Sequence, residues 1–398
     1  MEPRAWIEVD AAALAHNATV FRRAIPAGTR LGILVKANGY GHGMVVAAEA
    51  AVAGGADQLM VVSIDEALTL RAAGITAPIL IVYPIDPDAL DEAVGADIEV
   101  SVSGVDSARR TLEGWAGSRA RAQGRRLRLN VEVDSGMGRG GVRPEDLPAV
   151  MDGIDAAAAI EVVGIWSHLA DGNDPDRSHQ QVTAYERAIA SLAAAGRDIP
   201  ARHFAATEGL FVGTGPAYEM VRIGLGFYGE LGIDVQPTRG LASLARELRP
   251  AMTVAARPVR MEWMPAGASV GYGGEWTAER RSLIATLPIG YADGWTRRYW
   301  PGASALVRGR RVPLVGRVSM DSVSADVTDI GDVGMGEPFV LLGGQGDARI
   351  TPVELARLRD SNPNEVFCAF GTRLARRTIG ATSRESPGWN TAGATSTS

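Results

Sequence analysis

Between residue 11 and about residue 240, short apolar runs alternate with alanine-rich amphipathic stretches, the rhythm of strand–helix units wound around a parallel sheet. The runs predict eight strands, near 31–36, 58–63, 78–83, 98–102, 127–134, 160–168, 201–207 and 219–223. Helical spacing, as in Met44–Val52 and Ile64–Ala73, fills several of the intervals. Eight such units predict an α/β fold, a (β/α)8 TIM-like barrel whose functional residues gather at the C-terminal ends of the strands. Lys36, Asp134, His168, Thr207 and Arg222 all fall at those ends. Beyond about 240 the texture changes. Met252–Met261, Ser282–Leu287, Ala305–Val307, Val312–Val318 and Pro338–Leu342 read as strands separated by Gly and Asp turns. The barrel is therefore assigned to 11–240, and a mainly β C-terminal domain to 1–10 with 241–382. The last stretch, 383–398, has too little apolar surface to fold and is expected to be a disordered tail.

Composition narrows the partners. A net charge of −6 and a pI near 5.5 argue against a nucleic-acid or anionic-membrane surface, so small-molecule partners are expected. No uncharged apolar stretch approaches the ~20 residues of a membrane span. Met1-Glu2-Pro3-Arg4 lacks a signal peptide's apolar core, so a cytoplasmic location is expected. The single cysteine, Cys368, excludes an internal disulfide or a cysteine-cluster metal site, and its expected role is packing. Five scattered histidines without H-E-x-x-H give no support to metal hydrolysis, so no metal is assigned.

Of the 40 Lys and Arg residues, only Lys36 is lysine. Arginine stays protonated, whereas lysine can lose its proton and form a Schiff base, so the amine that survives points to chemistry. It ends the run Leu31-Gly-Ile-Leu-Val-Lys36 and leads into Ala37-Asn-Gly-Tyr-Gly-His-Gly43. Two other motifs mislead. Gly224-Leu-Gly226-Phe-Tyr-Gly229 satisfies G-x-G-x-x-G, but Glu230–Pro237 is a poor helix, so no dinucleotide site is assigned, although close approach to one phosphate stays open. Gly267-Ala-Ser269-Val-Gly271 satisfies the nucleophile-elbow pattern without a following helix, and reads as a glycine-rich turn.

Val35-Lys36-Ala-Asn-Gly-Tyr40-Gly-His-Gly43 closely resembles the pyridoxal-phosphate lysine motif of alanine racemases. Asp134-Ser-Gly-Met-Gly-Arg139, Ser167-His168-Leu-Ala-Asp171, Arg222-Ile-Gly224-Leu225 and Tyr228-Gly229 resemble that family's barrel motifs in order. Gly271-Tyr272-Gly273, Gly290-Tyr291-Ala-Asp-Gly294 and Gly316-Arg-Val-Ser-Met320-Asp321 resemble its second-domain motifs. The resemblance implies pyridoxal 5'-phosphate as cofactor, a small amino acid as substrate and a homodimer with shared active sites. By it, Lys36 would hold the cofactor and act as base on one face, while Tyr272 of the partner subunit serves the other. A free tyrosine titrates near ~10 and needs help to act so, and His168 linked to Arg222 would supply it. Arg222 would also face the pyridine nitrogen, disfavour its protonation and limit the carbanion's lifetime. Arg139 and the Met320 amide would bind the substrate carboxylate, Tyr40, Thr207, Gly224 and Leu225 the phosphate, and Tyr291 and Asp321 would line the entrance.

Three positions depart from the family pattern. Glu132 stands where the family usually has a carbamate-modified lysine, and its carboxylate is expected to form an ion pair that orients Arg139. In His203-Phe-Ala-Ala-Thr207 the hydroxyl persists but Ala206 offers no amide. Thr372 replaces a family tyrosine, which would open space near the substrate side chain. Alanine is the simplest substrate, and a larger amino acid is the alternative. A related barrel decarboxylase or aldolase would prefer an acidic group at the ring nitrogen, where Arg222 stands. A non-catalytic binding protein of this type would lack the second domain.

Overall fold

In the computed structural model, which describes residues 2–380 and 389–390, the first strand, β1 (Ala5–Asp10), joins a large sheet, and the next eight close into a barrel. These are β2 (Arg30–Leu34), β3 (Gln58–Val61), β4 (Ile79–Ile81), β5 (Ile98–Val102), β6 (Leu127–Glu132), β7 (Ile160–Trp166), β8 (Ala201–His203) and β9 (Met220–Ile223). All pair in parallel, and β9 closes on β2 through Arg30↔Met220 to Ile33↔Ile223. Every residue of β3, β4, β5 and β9 is buried, as expected where helices cover the outside of a parallel sheet. Met60, Leu80, Val82, Trp166 and Met220 pack together as one apolar cluster of this unit. Capping side chains start the helices: Ser63 accepts from the Glu66 N–H at 3.2 Å, and Asp174 from the Arg177 N–H at 3.0 Å.

The barrel unit comprises residues 14–39 and 47–248. It runs past 240 because the helix Ala242–Glu247 is tied back: a ring nitrogen of His16 hydrogen-bonds the Glu247 carbonyl at 3.0 Å, and Arg23 pairs with the Glu247 carboxylate.

The other unit comprises residues 1–13, 40–46 and 249–398. Its strands are β10 (Met252–Ala256), β11 (Arg260–Met264), β12 (Ser269–Val270), β13 (Trp276–Thr277), β14 (Ser282–Leu287), β15 (Ser304–Val307), β16 (Arg310–Val315), β17 (Val323–Asp326), β18 (Phe339–Gln345), β19 (Ala348–Ile350) and β20 (Ala375–Ile379). The sheet runs β11-β14-β17-β16-β15-β18-β10-β1-β20, with β19 beside β18, while β12 and β13 form a separate hairpin. The single run expected over Met252–Met261 is two strands, broken at Pro258, which has no N–H to give to a ladder. Ser269 lies in the β12–β13 hairpin, as its glycine-rich surroundings predict. Cys368, expected to pack, is exposed. The tail expected at 383–398 lies outside the described residues, apart from Trp389–Asn390, which pair antiparallel with β20. Among the described residues no helix is long and apolar enough to cross a membrane.

At the end of β2 the backbone turns left-handed over four residues, Ala37, Asn38, Gly39 and Tyr40, with φ of 52°, 53°, 61° and 49°. Three of these are not glycine, and each costs on the order of 1–2 kcal/mol in this conformation. The turn is held by the Gly39 N–H donating to the Val35 carbonyl at 2.8 Å, and by Glu66, which accepts from the N–H of Ala37 at 2.7 Å and of Val62 at 3.0 Å. Next comes Gly41, at φ 79°, where a Cβ would lie 2.4 Å from the Phe367 carbonyl oxygen. Gly41→Ala is therefore expected to destabilise the unit by about 2–4 kcal/mol, combining backbone strain and overpacking. Urea denaturation followed by tryptophan fluorescence checks this, and an unchanged midpoint would refute it.

Candidate functional site

Arg222, the third residue of β9, is buried, and its two terminal nitrogens are held on all sides. Nη1 donates to the His203 carbonyl at 2.9 Å and faces His203 Nδ1 at 3.2 Å. Nη2 donates to the carbonyls of Ser167 at 2.7 Å and Phe204 at 3.3 Å, and faces His168 Nδ1 at 3.2 Å. The guanidinium lies 4.7 Å from the Trp166 ring centroid. Burial pulls its pKa down to about 10, with Glu132 pulling the other way, so it is charged at neutral pH. No acceptor among the described residues meets its Nε–H, which leaves one donor for a bound group.

His168 follows β7. Burial, and then the positive charges of Arg222, Arg139 and Lys36, push its pKa down to about 3, so the imidazole is neutral. Arginine can only donate, so His168 accepts at Nδ1 and carries its proton on Nε2. Lys36 Nζ lies 5.9 Å from the centroid of Tyr83, a residue just past β4.

Gly224 and Leu225 open the turn after β9, and both are buried. Their backbone N–H groups have no acceptor among the described residues, whereas the next one, of Gly226, donates to Thr207 Oγ1 at 3.2 Å. Buried unpaired amides are costly, and two adjacent ones beside a buried hydroxyl fit an anion such as a phosphate monoester. Lys36 offers an amine for a carbonyl group and Arg222 a donor for a ring nitrogen, so the barrel residues fit pyridoxal 5'-phosphate. Tyr40 belongs to the other unit, where burial, and then Cys368, raise its pKa well above the usual phenol range.

The Asp134 carboxylate accepts from the N–H of Gly136, Met137 and Gly138, each at 3.0 Å, and so shapes the loop that carries Arg139. The ion pair expected between Glu132 and Arg139 is not formed among the described residues. Glu132 ends β6 with its side chain buried and accepts from the Ser103 hydroxyl, while Arg139 is exposed on the glycine-rich loop. Burial raises the Glu132 pKa, with Ser103 and then Arg139 opposing.

The remaining candidates lie in the sheet unit. Tyr272 stands between Gly271 (φ 79°) and Gly273 (φ 77°) and is 71% exposed. A Cβ on Gly316 would come within 2.4 Å of the Val270 carbonyl oxygen, so this turn closes only over glycine. Tyr291, Met320 and Asp321 are brought together. The Tyr291 N–H donates to the Ser319 carbonyl at 3.1 Å, and the Ala292 N–H to that of Met320 at 3.0 Å. Arg373 bridges Asp293 at 3.1 Å and Asp321 at 2.8 Å. Thr372, beside it, is exposed.

Sequence reasoning missed Tyr83, Ser103, Glu99, Asn130 and the part played by His203. A signal was present for two of them, since Glu99 and Asn130 are polar residues in the middle of strands that are mostly buried.

The fold defines a two-domain barrel protein, with a parallel (β/α)8 barrel followed by a mainly β unit. Family models agree: "Alanine racemase, N-terminal domain" matches residues 9–231 and "Alanine racemase, C-terminal domain" matches residues 251–378. The chain belongs to the alanine racemase family. It is 38% identical to the alanine racemase of Symbiobacterium thermophilum, over 93% of this chain and 96% of that one. Among solved structures it resembles the alanine racemase of Bacillus anthracis with bound L-Ala-P, with a TM-score of 0.86, 30% identity and coverage of 96% and 97%. It also resembles a histidine racemase from Leuconostoc mesenteroides, with a TM-score of 0.80, 29% identity and coverage of 95% and 98%.

The unfolded chain protonates His168 near the ordinary 6.5, and the folded chain only near about 3. Its neutral form therefore contributes stability that is fully present above 6.5 and is lost as the pH falls from there towards 3. Below about pH 6 the loss is expected to be on the order of 1 kcal/mol per pH unit, and His168→Gln should flatten that slope. Urea denaturation across this range reads it, and equal slopes for the two proteins would refute it.

Proposed function

We propose that the protein interconverts the L and D forms of a small amino acid, alanine first, using pyridoxal 5'-phosphate in a homodimer with shared active sites. Membership of the alanine racemase family is the observation that carries this reading. When bound, the cofactor supplies an electron-withdrawing ring that acidifies the substrate's Cα–H. Inversion then needs one group to remove the Cα proton and another to deliver one to the opposite face. Lys36 Nζ serves one face and the Tyr272 hydroxyl the other, so the proton count is unchanged over a turnover. The neutral His168, held by Arg222, has an Nε2–H to offer a phenolate and so favours the ionised tyrosine. Arg222, as a donor rather than a carboxylate, would leave the ring nitrogen of a bound cofactor unprotonated, which would disfavour decarboxylation and transamination. Arg139 and the Met320 amide take the substrate carboxylate. Glu132 acts on Arg139 through its charge without an ion pair, and Tyr291 and Asp321 line the entrance. Thr207, Gly224, Leu225 and Tyr40 take the phosphate. The setting is cytoplasmic, with peptidoglycan precursor synthesis the simplest use for D-alanine, and neither nucleic acid nor membrane is a partner.

A larger substrate is the second reading, favoured by Thr372 in place of a tyrosine and by the likeness to a histidine racemase. Proton NMR in heavy water with a panel of L-amino acids separates the two. Loss of the Cα–H signal with appearance of the D form is expected, and the fastest member names the substrate. Absence of exchange with every member, despite bound cofactor, would refute racemisation. Lys36→Ala is expected to lower the exchange rate by at least about a hundredfold and to abolish the covalent cofactor adduct that borohydride reduction traps. Retention of either would remove Lys36 from its role.

A further inference from the structure

Behind Arg222 runs a line of buried polar side chains that the proposed reaction does not use. Gln58 of β3 donates from Nε2 to Glu99 Oε2 at 2.9 Å, and Asn130 of β6 donates from Nδ2 to the same oxygen at 3.1 Å. Asn130 Oδ1 lies 3.4 Å from His203 Nε2, and His203 Nδ1 lies 3.2 Å from Arg222 Nη1. All five residues are buried. The donors and acceptors leave only one consistent direction. Arginine cannot accept, so His203 accepts at Nδ1 and carries its proton on Nε2. That proton goes to Asn130 Oδ1, which turns the Asn130 NH2 towards Glu99, a group that as a carboxylate can only accept. Flipping the Asn130 amide would set NH2 against N–H at one end and carbonyl against carboxylate at the other. The backbone makes room for this line: a Cβ on Gly164 would lie 2.0 Å from Asn130 Oδ1 and 2.9 Å from His203 Nε2.

A buried polar chain of this kind costs more than an apolar filling: the Gln58 amide oxygen at its far end has no partner among the described residues, and its other end meets the buried Arg222. We infer that Glu99 and Asn130 are positioning residues for the proposed reaction: they hold His203 with its Nδ1 lone pair on Arg222, and so fix the direction of the guanidinium that faces the cofactor ring. The inference rests on the functional reading above for its purpose, but not for its geometry.

Two measurements on the full chain test it. In imidazole-15N spectra of the protein without added cofactor, with His203 assigned through His203→Gln, the His203 proton is expected on Nε2 at neutral pH. A proton on Nδ1, or on both nitrogens, would overturn the inference. The second is the dissociation constant of pyridoxal 5'-phosphate. Asn130→Leu is expected to raise it about tenfold in the wild-type background but less than about twofold in Arg222→Lys, because residues linked through a relay are not additive. Gly164→Ala, which crowds the same contact without removing a polar group, is expected to do likewise and stands in if Asn130→Leu fails to fold. Equal factors in both backgrounds would reduce the chain to a structural role. A wild-type protein that neither binds the cofactor nor racemises any amino acid would sink the functional reading, while the tautomer would still decide the geometry.

Discussion

A positive charge enclosed at the end of a parallel barrel organises this site. Taking a guanidinium out of water is costly, and Arg222 offsets that cost with three backbone carbonyls, two histidine nitrogens and the face of a tryptophan. The carbonyls come from the chain leaving β7 and β8, so the arginine ties three consecutive strands at the level where the loops begin. Both histidines are neutral first because they are buried and then because of its charge, and each has its tautomer fixed by it. The chemistry of the site thus follows from one decision about where to bury a cation.

The barrel was legible in the sequence because parallel strands covered on both faces read as continuous apolar runs, and eight of these survive as strands. Strand ends were less legible. The run Leu31–Lys36 looks uniform, yet pairing stops at Leu34 because the chain turns left-handed beyond it, and nothing in Ala37-Asn38 compels that. The Pro258 break was readable in principle, from the missing N–H alone.

Of the candidate site, the residues with unusual chemistry stood out: the single lysine, the glycines beside Tyr272, and the arginine at a strand end. What did not stand out were groups whose meaning is purely relational. Glu99 and Asn130 are ordinary residues until they are seen to face each other across β5 and β6. The expected Glu132–Arg139 pair failed for the same reason. Opposite charges seven residues apart say nothing of whether the loop between them, here shaped by Asp134, carries the arginine inward or leaves it in solvent.

The lone amine at the barrel mouth also changes how the protein meets the outside world. Its cationic surface is made of guanidinium groups alone, which do not react with aldehydes, active esters or isothiocyanates as a primary amine does. Apart from the chain terminus, every amine-directed label, cross-linker or fixative therefore has one side-chain destination, at the candidate site itself. What serves elsewhere as a nonspecific coating of the surface becomes, for this chain, a reagent addressed to a single position.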